Sequence, residues 1–213
     1  MTTGRLLGMT ASGSEHKTWD KARQEGTGPV QDAFLELVRR TQHSHHYCPN
    51  IIWGNLQTAD YARAVFQRVV DFHETLDDVE EGVVRRTSRA QFLGQGERTY
   101  HTLLGEQALR TNLGGAEVMR GQLKRLIGAL DVPGLRLGII PARAELALYP
   151  GHAFSIFDGR RVEVENFSAG LTITDEDEVH AYERAFRLLE QSAVYGREAR
   201  ALMETELHAV SVS

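Results

Sequence analysis

The chain has little of what would staple, export or anchor a protein. Its 213 residues include one cysteine, Cys48, so no internal disulfide can form and a reducing compartment is expected. No apolar run approaches the roughly 20 residues a membrane span needs. The opening residues (MTTGRLLGMTASGSEHKTWD) lack the apolar stretch of a secretory signal. The expectation is a cytoplasmic protein without membrane contact. Basic charge is scarce as well: 24 Lys and Arg against 29 Asp and Glu leave a net charge of −5. Nonspecific affinity for nucleic acid comes from cations neutralising phosphates, so direct nucleic-acid binding is disfavoured. The short basic clusters (Arg39-Arg40, Arg85-Arg86, Arg160-Arg161) are answered by acidic runs of similar size at Asp77-Asp78, Glu80-Glu81 and 175–178. Also missing are a Gly-x-Gly-x-x-Gly turn after a strand, a Walker loop and a Gly-x-Ser-x-Gly elbow. No cofactor is expected.

What is present is ordinary globular material, 41% hydrophobic and 25% charged. Residues 1–28 are polar and rich in Gly, Ser and Thr, and read as a flexible lead-in to one domain over 29–213. Pro29 suits a first helical position. Val30, Phe34, Leu37, Val38 and Thr41 then share a helical face, and the pattern predicts a helix that runs through His43 and His46 until Cys48-Pro49-Asn50 breaks it. Thr58 is the expected N-cap of a second helix, with Tyr61, Val65, Phe66, Val69 and Phe72 inward. A third begins after Asp77-Asp78 and ends at Gly94 and Gly96. Strands are predicted at 98–104 and 135–140, on either side of a clear amphipathic helix carrying Met119, Leu123, Leu126 and Leu130. Asp158-Gly159 between 153–157 and 161–165 is a strong hairpin signal. Thr174 is the expected cap of a helix burying Val179, Tyr182, Phe186 and Leu189, and a last helix surrounds Leu202, Met203 and Leu207. Helices early and late around a mixed or mostly antiparallel sheet of about four strands with one hairpin make an α+β fold.

Several segments carry a family pattern in order. They are Trp53-Gly54-Asn55-Leu56-Gln57-Thr58-Ala59-Asp60-Tyr61-Ala62, then Arg86 and Arg89 one turn apart, then Gly105-Glu106-Gln107-Ala108-Leu109. The run GGAEVMRGQLKRL from Gly114 follows, then Ile139-Ile140-Pro141, Val162-Glu163-Val164-Glu165 and Glu198-Ala199-Arg200. Together, over about residues 30–205, they resemble the domain of unknown function that follows an XRE-type helix-turn-helix head in Streptomyces and other actinobacterial regulators described as toxin–antitoxin-like. Where that family has Pro and Leu in its opening motif, this chain has Trp53 and Asn55. With 28 residues before the first helix, the expectation is a stand-alone copy without the DNA-binding head. The resemblance implies a module that binds a small-molecule ligand or a small partner protein; self-association is left open. The rival expectation is an enzyme of specialised metabolism using acid–base residues on the same fold.

The residue types that could carry either role are few. Arg86 and Arg89 present two guanidinium groups suited to a carboxylate or phosphate. Glu106 follows a strand end, and Glu163 and Glu165 share one sheet face. The expected ligand-binding set is Arg86, Arg89, Glu106, Glu165, His101, His152, Trp53 and Gln57, converging on a pocket between sheet and early helices. If the chain is an enzyme, Glu106, Glu165 and His152 are the expected acid–base groups. His152 directly follows the irregular connection 142–151, the most lid-like loop. His43, His45, His46 and Cys48 cluster in sequence, but no second ligand pair with zinc spacing accompanies them, so no metal is expected.

Overall fold

In the computed structural model, residues 14–18 and 28–212 are described. Seven strands form one mixed sheet: β1 (Ser14–Thr18), β2 (His43–Cys48), β3 (Thr99–Gly105), β4 (Leu135–Ile140), β5 (Phe154–Phe157), β6 (Arg161–Glu165) and β7 (Ala169–Ile173), in the order β1-β7-β6-β5-β2-β3-β4. The α+β class is as expected, but the sheet has seven strands where about four were predicted. Strands β2, β3 and β4 run parallel, and β2, β5, β6, β7 and β1 pair antiparallel in succession. Strand β2 is therefore the seam between two half-sheets.

Among the described residues seven helices surround it: α1 (Gly28–Arg40), α2 (Ala59–His73), α3 (Val79–Ser88), α4 (Glu106–Arg110), α5 (Ala116–Ala129), α6 (Glu176–Glu190) and α7 (Gly196–Val212). Side chains alternate across a strand, so Ser44, His46 and Cys48 of β2 share a face with Tyr100 and Leu104 of β3, while His45, Tyr47, His101 and Leu103 point the other way. On the first face α5 and α7 bury Leu123, Leu126, Ala199 and Met203 against Leu104, Leu137 and Ile139. On the second, α6 lays Val179, Phe186 and Leu189 over Ile156, Val162 and Val164. Helices α2 and α3 pair through Phe66, Val70, Val79 and Val83.

Local chemistry explains most boundaries. Thr58 caps α2 as expected, its hydroxyl accepting from the Tyr61 amide at 3.2 Å. Helix α6 is capped by Asp175, which accepts from Glu178 N at 3.1 Å, and not by the expected Thr174. A carboxylate at that position also suits the positive helix end. Asp158 and Gly159 both have positive φ, 50° and 62°, as a tight hairpin turn requires. The Asp158 carboxylate also accepts from the amides of Gln42 and His43 at 3.0 and 2.8 Å, locking the hairpin tip to the start of β2.

Two expectations need correction. His43 and His46 lie on strand β2, not on a helix, and on opposite faces. Within the expected lead-in, Ser14–Thr18 is strand β1, paired with β7; residues 1–13 and 19–27 of that stretch lie outside the described residues.

Two glycines give contrasting tests of packing. At Gly105, where β3 enters α4, a Cβ would lie against the Pro49 carbonyl oxygen; at Gly121, inside α5, it would meet nothing within 4 Å. Gly105→Ala is expected to cost about 1–3 kcal/mol through overpacking. Gly121→Ala should stabilise by roughly 0.5–1 kcal/mol through helix propensity. Urea denaturation of the two variants checks both.

Candidate functional site

Residues 49–58 leave β2 and cross the first sheet face before α2 begins. Their course is fixed by two buried amides. Gln122 of α5 donates to the Leu56 carbonyl at 2.9 Å and accepts from Thr58 N at 2.8 Å. Gln57 donates to the Ile52 carbonyl at 2.7 Å. Between this connector, α1, α2, α3 and strands β5 and β6 lies a cavity of about 320 Å³. Phe34, Ile52, Trp53 and Val65 supply apolar wall; Ser155, Glu163 and Glu165 supply polar wall; Arg86 and Arg89 project from one side.

The arginines sit where α3 tightens into a 3-10 turn, Arg89–Phe92, so residues three apart stack on one face. Arg86 donates to Gln57 Oε1 at 3.2 Å and lies 4.1 Å above the Phe66 ring. Arg89 is buried, donates to Gln31 Oε1, and lies 4.4 Å above the Phe34 ring. The Nε of each is buried with no hydrogen-bond partner. Their sequence neighbours do not neutralise them: Glu80 pairs with Arg63 at 2.5 Å and Glu81 with Arg85 at 3.0 Å. Burial presses both pKa values down, and in Arg89 the adjacent Arg86 charge adds to it; Glu165 is the charge that opposes this.

The floor beneath is neutral. His46 is buried, with Nδ1 at 2.8 Å from Ser155 Oγ, Nε2 at 2.8 Å from Ser44 Oγ, and its ring stacked 4.0 Å from Trp53. Burial drives its pKa well down. The Cys48 thiol, on the same wall, is pushed up to about 12 by burial and by Glu165, which leaves it protonated and a poor nucleophile. Among the described residues no three His, Cys, Asp or Glu side chains gather as a metal site.

Five of the eight expected ligand-binding residues thus line one cavity: Trp53, Gln57, Arg86, Arg89 and Glu165. Three do not. Glu106 opens α4, where it pairs with Arg110 and accepts from Ala142 N at 2.6 Å. His101 points to the opposite sheet face and bonds the Tyr195 hydroxyl at 2.9 Å. His152 bonds the Tyr182 hydroxyl at 2.9 Å and borders a separate cavity of about 210 Å³ beside α6. The acid–base trio Glu106, Glu165 and His152 therefore shares no cavity. Nor is Glu165 the inward acid of β6. It is exposed at the rim, while Glu163 is half-buried, held by Arg161 at 2.6 Å and Thr172 at 2.9 Å, with its pKa raised by burial. Sequence reasoning missed Gln31 as an arginine partner; Phe34 and Phe66 were expected only as core.

The chain matches the family model "Domain of unknown function (DUF5753)" over residues 31–205, and it belongs to that family. No curated protein matches it significantly. Similar solved structures include NucT from Helicobacter pylori, at 8% identity and a TM-score of 0.45, covering 86% of this chain and 98% of that one. Nuc from Salmonella typhimurium, a phospholipase D family member, has 10% identity and a TM-score of 0.42, with 86% and 97% covered. The archaeal chromatin protein TrmBL2 has 11% identity and a TM-score of 0.42, with 90% of this chain and 57% of that one covered. At such identities and TM-scores these likenesses define neither activity nor ligand.

The buried imidazoles make stability depend on acid. His45, His46 and His101 are all held below the ordinary 6.5, chiefly by burial, His101 at about 4. A histidine with a folded-state pKa below its unfolded value takes up a proton on unfolding. Its share of stability is therefore complete above pH 6.5 and is lost as pH falls toward 4. The urea midpoint should drop across that window, and less so in His101→Gln. An equal drop in the variant would refute the assignment to His101.

Proposed function

We propose that the chain is a ligand-binding module whose cavity takes a small carboxylate- or phosphate-bearing compound between Arg86 and Arg89. One observation carries the reading. Two guanidinium groups stand side by side in a cavity, each with a buried Nε that nothing satisfies. Burying such groups unpaired is costly, and an anion accepting from both forks would relieve the cost. The flanking rings of Phe34 and Phe66 hold the guanidinium planes in place, and Gln31 and Gln57 each take one donor, leaving the others for the ligand. The resemblance to domains that follow helix-turn-helix heads in actinobacterial regulators supports treating occupancy of the cavity as a signal, passed to a DNA-binding partner or a small protein.

An enzymatic reading has one observation in its favour. Ser155 Oγ lines the cavity and bonds a neutral imidazole, the arrangement of a hydroxyl nucleophile beside its base. Labelling of Ser155 by a fluorophosphonate, absent in His46→Phe, would support it; an unlabelled wild type would remove it.

The binding reading is tested by following the melting temperature with acetate, citrate and inorganic phosphate. At least one should raise it in the wild type and none in Arg89→Met. Unliganded Arg89→Met should melt at the same temperature or higher, because an unpaired buried charge has been removed. A loss of ~3–5 kcal/mol, the cost of breaking a buried pair, would mark Arg89 as structural. No anion effect in the wild type would end the proposal.

A further inference from the structure

We infer that the ligand of this cavity is dipolar, its acidic group on Arg86 and Arg89 and a protonated amine on Glu165, joined by an apolar segment. The inference rests on the anion-site reading and adds a second end to it. Glu165 lines the same cavity as the arginines and is exposed at its rim. Its carboxylate has no hydrogen-bond or ion-pair partner among the described residues, whereas Glu163, two residues earlier on the same face, is held by Arg161 and Thr172. It is close enough to bear electrostatically on Arg86, Arg89 and Cys48.

A purely anionic compound drawn to the arginines must therefore sit beside an unneutralised carboxylate, which opposes its entry. A compound that also carries an ammonium group turns that repulsion into an attraction. Neither charge on the protein lacks an answer on such a ligand, and no further residue is needed. The rest of the wall includes Ile52, Trp53, Val65 and Val69, which offer hydrocarbon contact, beside the polar groups of Gln57, Asn55 and Ser155. At ~30 Å³ per water-sized group, 320 Å³ holds about ten such groups, the scale of an amino acid or a short amine-bearing acid.

The test uses pairs of compounds that differ only in the amine: γ-aminobutyrate with butyrate, glutamate with glutarate, and phenylalanine with phenylpropionate. Binding to the full chain is followed by ligand-observed NMR titration at pH 7. In at least one pair the amine-bearing member should bind about two- to fivefold tighter, the yield of one rim ion pair. Glu165→Gln should abolish that preference while the amine-free member binds as well or better. A preference that survives Glu165→Gln, or no preference in any pair, overturns the inference. Arg89-dependent binding of the amine-free acids without preference overturns only the dipolar ligand and leaves the anion site standing. Failure of every acid to bind overturns both.

Discussion

A polar strand runs through the centre of this sheet, and the protein has to satisfy it. Strand β2, His43 to Cys48, is hydrogen-bonded on both edges, to β3 in parallel and to β5 antiparallel. A buried imidazole without partners would cost several kcal/mol, and His46 avoids this by bonding Ser44 and Ser155 while Trp53 covers its ring. The Asp158 carboxylate anchors the strand's first amide from the neighbouring hairpin. These contacts join the parallel half-sheet to the antiparallel one. They also set where the chain leaves the sheet, because Trp53 must lie on His46. The path of residues 49–58 follows from that, and with it the positions of Gln57 and, through Gln57, of Arg86.

The parallel half of the first face is covered in the ordinary way, Leu104, Leu137 and Ile139 under the apolar stripes of α5 and α7. The antiparallel half cannot be covered like that. Its strands present Ser155, Arg161, Glu163, Glu165 and Thr172, groups that would be left unsatisfied beneath a sheet of leucines. Helices α1 and α3 approach this region with Gln31, Arg86 and Arg89 instead. The cavity arises at the boundary where apolar packing gives way to polar lining.

Much of this was legible from residues alone, and the failures have physical causes. Strands β3, β4, β5 and β6 announced themselves by β-branched and aromatic runs between turn signals, and Asp158-Gly159 by its need for positive φ. Strand β2 did not, because HSHHYC has no apolar alternation, and its histidines fit helical spacing as well as strand spacing. The same failure hid the parity that sends His46 toward the cavity floor and His101 to the opposite face. Strand β7, with Gly170 at its second position, was not predicted at all, and β1 lay in a stretch that composition marked as polar lead-in. In the site, Arg86, Arg89, Gln57 and Trp53 came from motif spacing and one helical face, information local enough for sequence to carry. Glu106 failed because a strand end has two directions to turn. Its carboxylate goes to Arg110 and Ala142, a choice set by α7 and by the chain after β4, both distant in sequence.

The placement of charge is what distinguishes a binding cavity from a packing defect. A void left by imperfect packing is lined by apolar groups and stays dry. This one is lined on one side by two guanidinium groups whose nearest acids in sequence, Glu80 and Glu81, are committed to Arg63 and Arg85. On the other side a carboxylate stands unpaired. A protein under selection for stability alone gains by removing such charges, since apolar residues of similar volume are commonly neutral or stabilising in their place. Phe34 and Phe66 stacked on the guanidinium planes, and Gln31 and Gln57 each taking a single donor, hold the arginines in position without neutralising them. On the proposed reading, such support keeps the arginines poised for an anion that enters the cavity and offsets the cost of burying them.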